Sequence, residues 1–243
     1  MVNHYNLNKI DIKHRTNDAE IMDNFQLEGK ELEEALDKIA KINQLLGGNQ
    51  LTLQGVMVIL KKMDTTKEIT IVDVGCGNGD MLRYIADFGI KNNYNFKLIG
   101  IDANRYTINH AIKLSVHYEN IEFKINDIFD EVFIQLKYDI ILCTLTLHHF
   151  KENQIMYLIA LFNKNVSAGI VINDLHRSRI AYRLFQLICK IFKLNSMSRE
   201  DGLTSILRGF KKEELIAFSD KLNLKKYTLY WKWAFRYQWI IFK

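Results

Sequence analysis

The sequence predicts an α/β protein: one mostly parallel sheet of seven strands closed by an antiparallel C-terminal hairpin, with helices before it and a helical insertion within it. Three observations predict this. β-Branched apolar runs alternate with segments of helical period from residue 69 to residue 173, the pattern of right-handed β-α-β crossovers. The first run, ITIVDV, ends in a turn carrying Gly75, Gly77 and Gly79. The last two runs, 225–233 and 236–242, are separated by too few residues for anything but a hairpin.

The elements follow in order. Residues 1–28 are polar and irregular, with a short helix expected near Ile21–Phe25. In residues 29–46, Leu32, Leu36, Ile39, Ile42 and Leu46 recur at spacings of three and four, which makes an amphipathic helix. Glutamates crowd its first turn and Gly47-Gly48 ends it. A second helix spans 51–63. Strands are then expected at 69–74, 96–101, 121–125, 138–144 and 168–173, with helices at 79–88, 104–117 and 151–164 between them. After residue 174 the alternation stops. A nearly all-apolar helix, 178–194, is followed by the polar segment NSMSREDGLTS, read as a hinge-like loop, and by a helix at 211–221. The expected division is an N-terminal helical segment, 1–64, covering the site, and a domain, 65–243, whose insertion at 178–210 forms a cap.

Composition narrows the function. Apolar residues make up 48% of the 243, enough for a sizeable core. The net charge of +5 includes no dense basic block, so nucleic acid is not the expected partner. Cys76, Cys143 and Cys189 are scattered and odd in number, which suits neither a disulfide framework nor a metal cluster. The first residues hold no apolar signal segment, so a cytoplasmic location is expected. The run at 180–194, broken by Arg183, Lys190 and Lys193, is too short to span a bilayer. There is no proline, and composition offers no functional reason for that.

The glycine turn is the most specific motif. It lacks the third glycine of a dinucleotide fingerprint, since Asp80 stands there, and it lacks the Lys-Ser/Thr of a P-loop. It reads D-x-G-x-G-x-G from Asp73, and a second acidic strand end, Asp102, follows in KLIGIDAN. A carboxylate placed there accepts hydrogen bonds from both hydroxyls of a ribose.

These residues resemble motif I of the class I S-adenosylmethionine-dependent methyltransferases, a Rossmann-like fold. NIEFKINDIFD and YDIILCTLTLHHF extend the resemblance over about residues 60–175. The likeness is to small-molecule enzymes of quinone and polyketide-like biosynthesis. It implies S-adenosylmethionine as cofactor and S-adenosylhomocysteine as product. It implies a cofactor site of Asp73, Gly75, Cys76, Gly77, Gly79, Asp102, Ala103, Asn126, Asp127, Ile128, Cys143, Thr144 and Leu145. In it Asp73 attracts the ammonium, Asp127 contacts the adenine amino group and Ile128 packs on the ring.

Ligands of such sheets lie beyond the carboxyl ends of the strands, so the acceptor side falls to residues after the fourth and fifth strands. A histidine can deprotonate an acceptor near neutral pH. His176 is the first candidate, with His148 and His149 next; the alternative for the pair is capping or packing beside the cofactor. Asp174, Arg177, Tyr182, Ser205 and Arg208 are the candidate substrate contacts, although Asp174 and Arg177 could equally form an ordinary surface ion pair. No metal is expected, because the histidine spacing lacks the i, i+4 pairing of helical metal sites.

The expected reaction is O-methylation of a small hydrophobic acceptor with a phenolic or other hydroxyl. The large apolar residues of the insertion support it, as does the lack of an Asn/Asp-Pro-Pro-aromatic signature where Cys143-Thr144-Leu145-Thr146 stands. C-methylation of a quinone-like ring, RNA or protein methylation, and non-catalytic cofactor binding are the alternatives. At most peripheral membrane contact is expected, through Arg177, Arg179, Arg183 and Lys190, and the chain is expected to be a monomer or homodimer.

Overall fold

The computed structural model describes residues 10–130 and 137–243. The N-terminal segment is thus seen only from Ile10 onward. Seven strands form one sheet: β1 (Ile69–Val74), β2 (Phe96–Asp102), β3 (Ile121–Ile125), β4 (Tyr138–Thr144), β5 (Val166–Leu175), β6 (Tyr227–Lys232) and β7 (Arg236–Phe242). Their order is β3-β2-β1-β4-β5-β7-β6. β1 pairs in parallel with both β2 and β4, so the strand order reverses at β1 and opens a crevice beyond its carboxyl end. β7 lies antiparallel between β5 and β6, as the hairpin requires.

The helices are α1 (Lys30–Leu45), α2 (Gly48–Leu60), α3 (Asp80–Asn92), α4 (Arg105–Leu114), α5 (Glu152–Asn165), α6 (Arg179–Ile191), α7 (Ser196–Arg208) and α8 (Lys212–Lys221). The period-two pattern of β1 sorts them onto two faces. Ile69 and Ile71 pack with Val56 and Ile59 of α2, Leu82 and Ile85 of α3 and Ile108 of α4. Val72 and Val74 pack with Leu158 and Ile159 of α5 and Leu215 and Phe218 of α8 on the other side. Trp239 of β7 is fully buried in that second layer.

Three helices do not cover the sheet. α6 and α7 pack on each other, and α1 runs from one to the other across the strand tips. Its Leu32 and Ala35 meet Met197 of α7, and its Ile42 meets Cys189 and Leu194 at the end of α6. Polar links tie α1 down to the crevice. Asp37 Oδ1 accepts from Asn78 Nδ2 at 2.9 Å and pairs with His110 Nε2 at 2.8 Å. Asn49 Nδ2, at the start of α2, donates to Asp80 Oδ2 at 2.8 Å.

Two expectations are corrected. The second helix begins at Gly48, not Leu51, because Gly47 takes the left-handed conformation (φ +76°) and turns the chain directly from α1 into α2. The segment NSMSREDGLTS is not a hinge loop but most of α7. Asn195 caps it by accepting from Ser198 N at 2.9 Å, and Met197 and Ile206 bury an apolar edge. Gly202 is a packing residue: a Cβ there would lie 2.3 Å from the ring of Phe185, so glycine lets α6 and α7 cross closely.

Trp239→Ala should cost about 3–5 kcal/mol, the usual loss for emptying a fully buried aromatic site. Urea unfolding of the two proteins checks this.

Candidate active site

A cavity of about 520 Å³ opens over the tips of β1, β2 and β4, beneath α1. The chain enters it from β1 through the glycine turn. Gly77 has φ +52°, and a Cβ on it would meet only Leu36, at 3.8 Å, so the backbone there faces open space. Gly79 is different. It caps α3 at φ +76°, and its missing Cβ makes room for the ring of Phe123. Leu145, just past β4, also holds a positive φ of +54°, a conformation unusual for a large apolar residue. Its N–H bonds to Asn173 O at 2.9 Å, which holds the turn in place.

The polar lining of this cavity is acidic. Asp73 is buried, and its Oδ1 has no hydrogen-bond partner. Burial pushes the Asp73 carboxyl well above its ordinary range, and the neighbouring Asp80 and Asp102 push it further. Asp102 accepts from Gly77 N at 3.2 Å and from Asn104 N at 2.9 Å. Its carboxyl is also raised, by burial, against the lowering effect of those N–H donors. Asp127 and Ile128 line the wall beyond β3. A buried carboxyl oxygen without a partner calls for a cationic or donor-rich ligand. Acid groups at two adjoining strand ends, with a backbone cradle left open at Gly77, fit an adenosyl cofactor bearing an ammonium and a sulfonium, the ligand that the resemblance implies. Asp73 and Asp102 would hold its charged and hydroxyl groups, and Gly77 would leave room for its tail.

A second cavity, of about 340 Å³, adjoins the first. Leu46 just after α1, Leu184, Leu187, Ile188 and Ile191 of α6, and Trp233 of the β6–β7 turn give it an apolar wall. The two cavities share Met22, Ile39, Asn43, Leu145 and His149.

A cluster of charged groups stands at that junction. His148 is buried, and its Nδ1 lies 2.7 Å from Asp174 Oδ1. Its Nε2 has no hydrogen-bond partner and lies 3.7 Å from Glu20 Oε1. Burial opposes the charge on Asp174, but the charge and hydrogen bond of His148 outweigh it and hold the carboxyl below its ordinary range. His149 Nδ1 sits 2.7 Å from Asp23 Oδ1, and Arg208 Nη1 donates to Asp23 Oδ2 at 2.6 Å. For Asp23, too, burial is overcome, by His149 and Arg208, and its carboxyl is lowered. Glu20 is the exception. Burial lifts it to about 7, and His149, Ser205 and Arg208 only partly oppose that.

Most of the expected cofactor residues line the first cavity: Asp73, Gly75, Cys76, Gly77, Asp102, Ala103, Asn126, Asp127, Ile128, Thr144 and Leu145. Gly79 and Cys143 do not. Gly79 turns the chain into α3, and Cys143 packs into the core under the strand tips. On the acceptor side His148, His149, His176 and Ser205 line the second cavity. His176 Nδ1 accepts from Trp231 Nε1 at 3.1 Å, and burial lowers its ring's pKa.

Three other expectations are corrected. Asp174 and Arg177 form no surface pair. Asp174 serves His148, while Arg177 is fully buried and bonds Glu214 Oε1 at 2.6 Å and the carbonyls of Ile12 and Lys13. Arg177 lines neither cavity. Tyr182 is likewise turned away, into a small core with Ile10 and Ile206. Arg208 lines neither cavity, and its guanidinium is engaged by Asp23, Glu20 and the carbonyl of His149.

Glu20, Asp23 and Asp201 stand at the junction and were not among the residues expected from the sequence. Asp201 accepts from Ile21 N at 2.6 Å and Met22 N at 2.9 Å, which fixes the strap that delivers Glu20 and Asp23. Only the charge density of NDAEIMD hinted at it.

Known proteins resemble this chain as follows. Residues 65–230 match a family model described as a methyltransferase domain. A protein named as a methyltransferase, 235L, of Invertebrate iridescent virus 6 is 25% identical over 185 residues, covering 70% of this chain. The chain spans 62% of that relative's length. The plantazolicin methyltransferase BpumL, solved with S-adenosylhomocysteine, aligns with a TM-score of 0.62 at 18% identity, covering 86% of this chain and 89% of that one. The DszA carbon methyltransferase aligns at 0.64 and 13% identity, over 86% of this chain and 57% of that one. At such identities the two structures speak for the fold.

The raised pKa of Glu20 sets a pH dependence. The folded protein holds this proton more tightly than the unfolded chain, so the group's favourable contribution is full below about 4.5 and is lost as pH rises through about 7. Glu20→Gln should flatten that decline, and melting temperatures across this range check it.

Proposed function

The chain belongs to the methyltransferase-domain family, and from that premise we propose that it transfers a methyl group from S-adenosylmethionine to a small hydrophobic acceptor bearing a phenolic or other hydroxyl, by O-methylation. The observation that carries this reading is the junction of two unlike chambers. An acidic cavity at the strand tips meets an apolar one at Met22, Ile39, Asn43, Leu145 and His149, and His148, whose buried Nε2 has no hydrogen-bond partner, is among the residues that line the apolar one.

Bound in the acidic cavity, S-adenosylmethionine supplies an electrophilic methyl group. Asp102 would hold the ribose hydroxyls, Asp127 the adenine edge and Asp73 the cationic end. The remaining work falls to the protein. Met22, Ile39 and Leu145 give the junction an apolar side, alongside the polar Asn43 and His149. Asp174 takes the Nδ1–H of His148, which leaves Nε2 as the basic nitrogen. Nε2 accepts the proton of the acceptor hydroxyl, and the imidazolium that results stands between Asp174 and Glu20. Asp23 fixes His149 at the boundary, and His176 orients the acceptor's outer part. The cap of α6 and α7 sets which acceptors fit. The same imidazole would serve an acidic ring carbon, so C-methylation of a quinone-like ring is the second reading.

The test is transfer of labelled methyl to a panel of phenols, quinols and hydroxy acids, with product analysis separating oxygen from carbon. Label on RNA or protein instead would refute the small-molecule acceptor, and cofactor binding with no transfer to any acceptor would refute the enzyme.

Three variants examine the roles. Gly77→Val should abolish cofactor binding, because the side chain enters the open space at that turn. Asp102→Ala should weaken binding by about 1–3 kcal/mol, as read by calorimetry. His148→Gln should lower kcat by roughly 10²–10⁴-fold at unchanged cofactor affinity; if turnover persists, the base lies elsewhere.

A further inference from the structure

α6 carries two apolar faces. One, with Ala181, Tyr182 and Cys189, is buried against α7 and the end of α1. The other is an uninterrupted stripe in water. Ile180, Leu184, Leu187 and Ile191 follow one another at helical spacing and are 62%, 41%, 53% and 64% exposed. Scattered exposed leucines need no explanation, but a continuous stripe does. Trp233, 66% exposed, stands on the neighbouring β6–β7 turn. Leu184, Leu187, Ile191 and Trp233 also line the second cavity, so the exposed surface and the mouth of that cavity are continuous.

Charge says what covers the stripe. Residues 178–194 contain Arg179, Arg183, Lys190 and Lys193 and no acid at all, and all four cations are exposed. An apolar stripe flanked only by cations, with a tryptophan beside it, is complementary to an anionic bilayer surface. A 13-residue helix is too short to cross a membrane, and among the described residues no helix is long and apolar enough to do so. It can lie in the plane of the headgroups.

We propose that this face of α6, with Trp233, docks on anionic lipid bilayers and that the second cavity opens into the docked surface. Resting on the methyl-transfer reading, the acceptor is then a lipid-soluble molecule that enters from the membrane between α6 and the β6–β7 turn. The stripe supplies apolar insertion and the cations supply attraction, the two signals that stable peripheral binding needs.

Flotation with phosphatidylcholine vesicles containing about one-third phosphatidylglycerol tests this, with pure phosphatidylcholine as the comparison. The wild-type chain should float with the anionic vesicles, bind the neutral ones far less, and detach as salt rises. Trp233→Phe should remove most of the blue shift in tryptophan emission on binding. Leu187→Asp with Ile191→Asp should abolish flotation, whereas Ile90→Asp, an equally exposed change on α3, should not. Arg183→Glu with Lys190→Glu should weaken binding by at least about thirtyfold. No flotation, equal flotation on neutral vesicles, or undiminished flotation of the Leu187–Ile191 double variant would overturn the proposal. So would a solution dimer that the double variant splits while no vesicle binds, because the face would then belong to a second copy. Binding of S-adenosylhomocysteine, measured by calorimetry without lipid, reports separately on the methyl-transfer reading.

Discussion

The carboxyl edge of this sheet depends on charge neutralised inside the protein. Arg208, at the end of α7, bonds Asp23 and faces Glu20, and His148 and His149 are each fixed by a carboxylate. None of these groups is stable in an apolar interior by itself, because taking an ion from water costs more than a single contact returns. Together they satisfy one another, and in doing so they join elements far apart in sequence: the strap at residues 20–23, the turn after β4, the end of β5 and the cap helix α7. These bonds hold the end of α7 against the strap and the turn after β4. Removing one member leaves its partner charged and buried, so the cluster behaves as a unit.

The first cavity shows the opposite electrostatic condition. Asp73, Asp80 and Asp102 stand near one another, and among the described residues that line the chamber with them His149 is the one basic side chain. Burial and mutual repulsion together raise Asp73. The site is thus strained toward neutrality, and positive charge brought by a ligand relieves the strain. On the proposed reading, an acidic chamber beside a self-neutralised one divides the labour: one end would select a cation, and the other would take up a proton.

How far the sequence foretold this varied with the range of the interaction. The alternation of strands and helices was legible because each β-α unit encodes itself within about thirty residues, and the place of Asp73, Gly77, Asp102 and Asp127 around the first cavity was legible because strand ends place side chains by local rules. The cap was not. NSMSREDGLTS looks like a loop by composition, yet Asn195 caps it and contacts with α1 and α6 hold it helical. The strap was also hidden, since Glu20 and Asp23 gain meaning only from Asp201 and Arg208 about 180 residues away. His148 and His149 were visible as candidates, but only the fold separates them, by giving one Asp174 and the other Asp23. Arg177 misled because a buried arginine and a surface one look alike in a sequence.

α1 spans the strand tips over a void of about 520 Å³. It has small apolar contacts near each end and side-chain hydrogen bonds to Asn78 and His110 between them. A helix normally owes its persistence to the packed layer beneath it, and on this one Leu36, Ile39 and Ala40 line the chamber. On the proposed reading, a cofactor bound in the chamber would pack against these side chains, so occupancy and helical order of α1 would rise together.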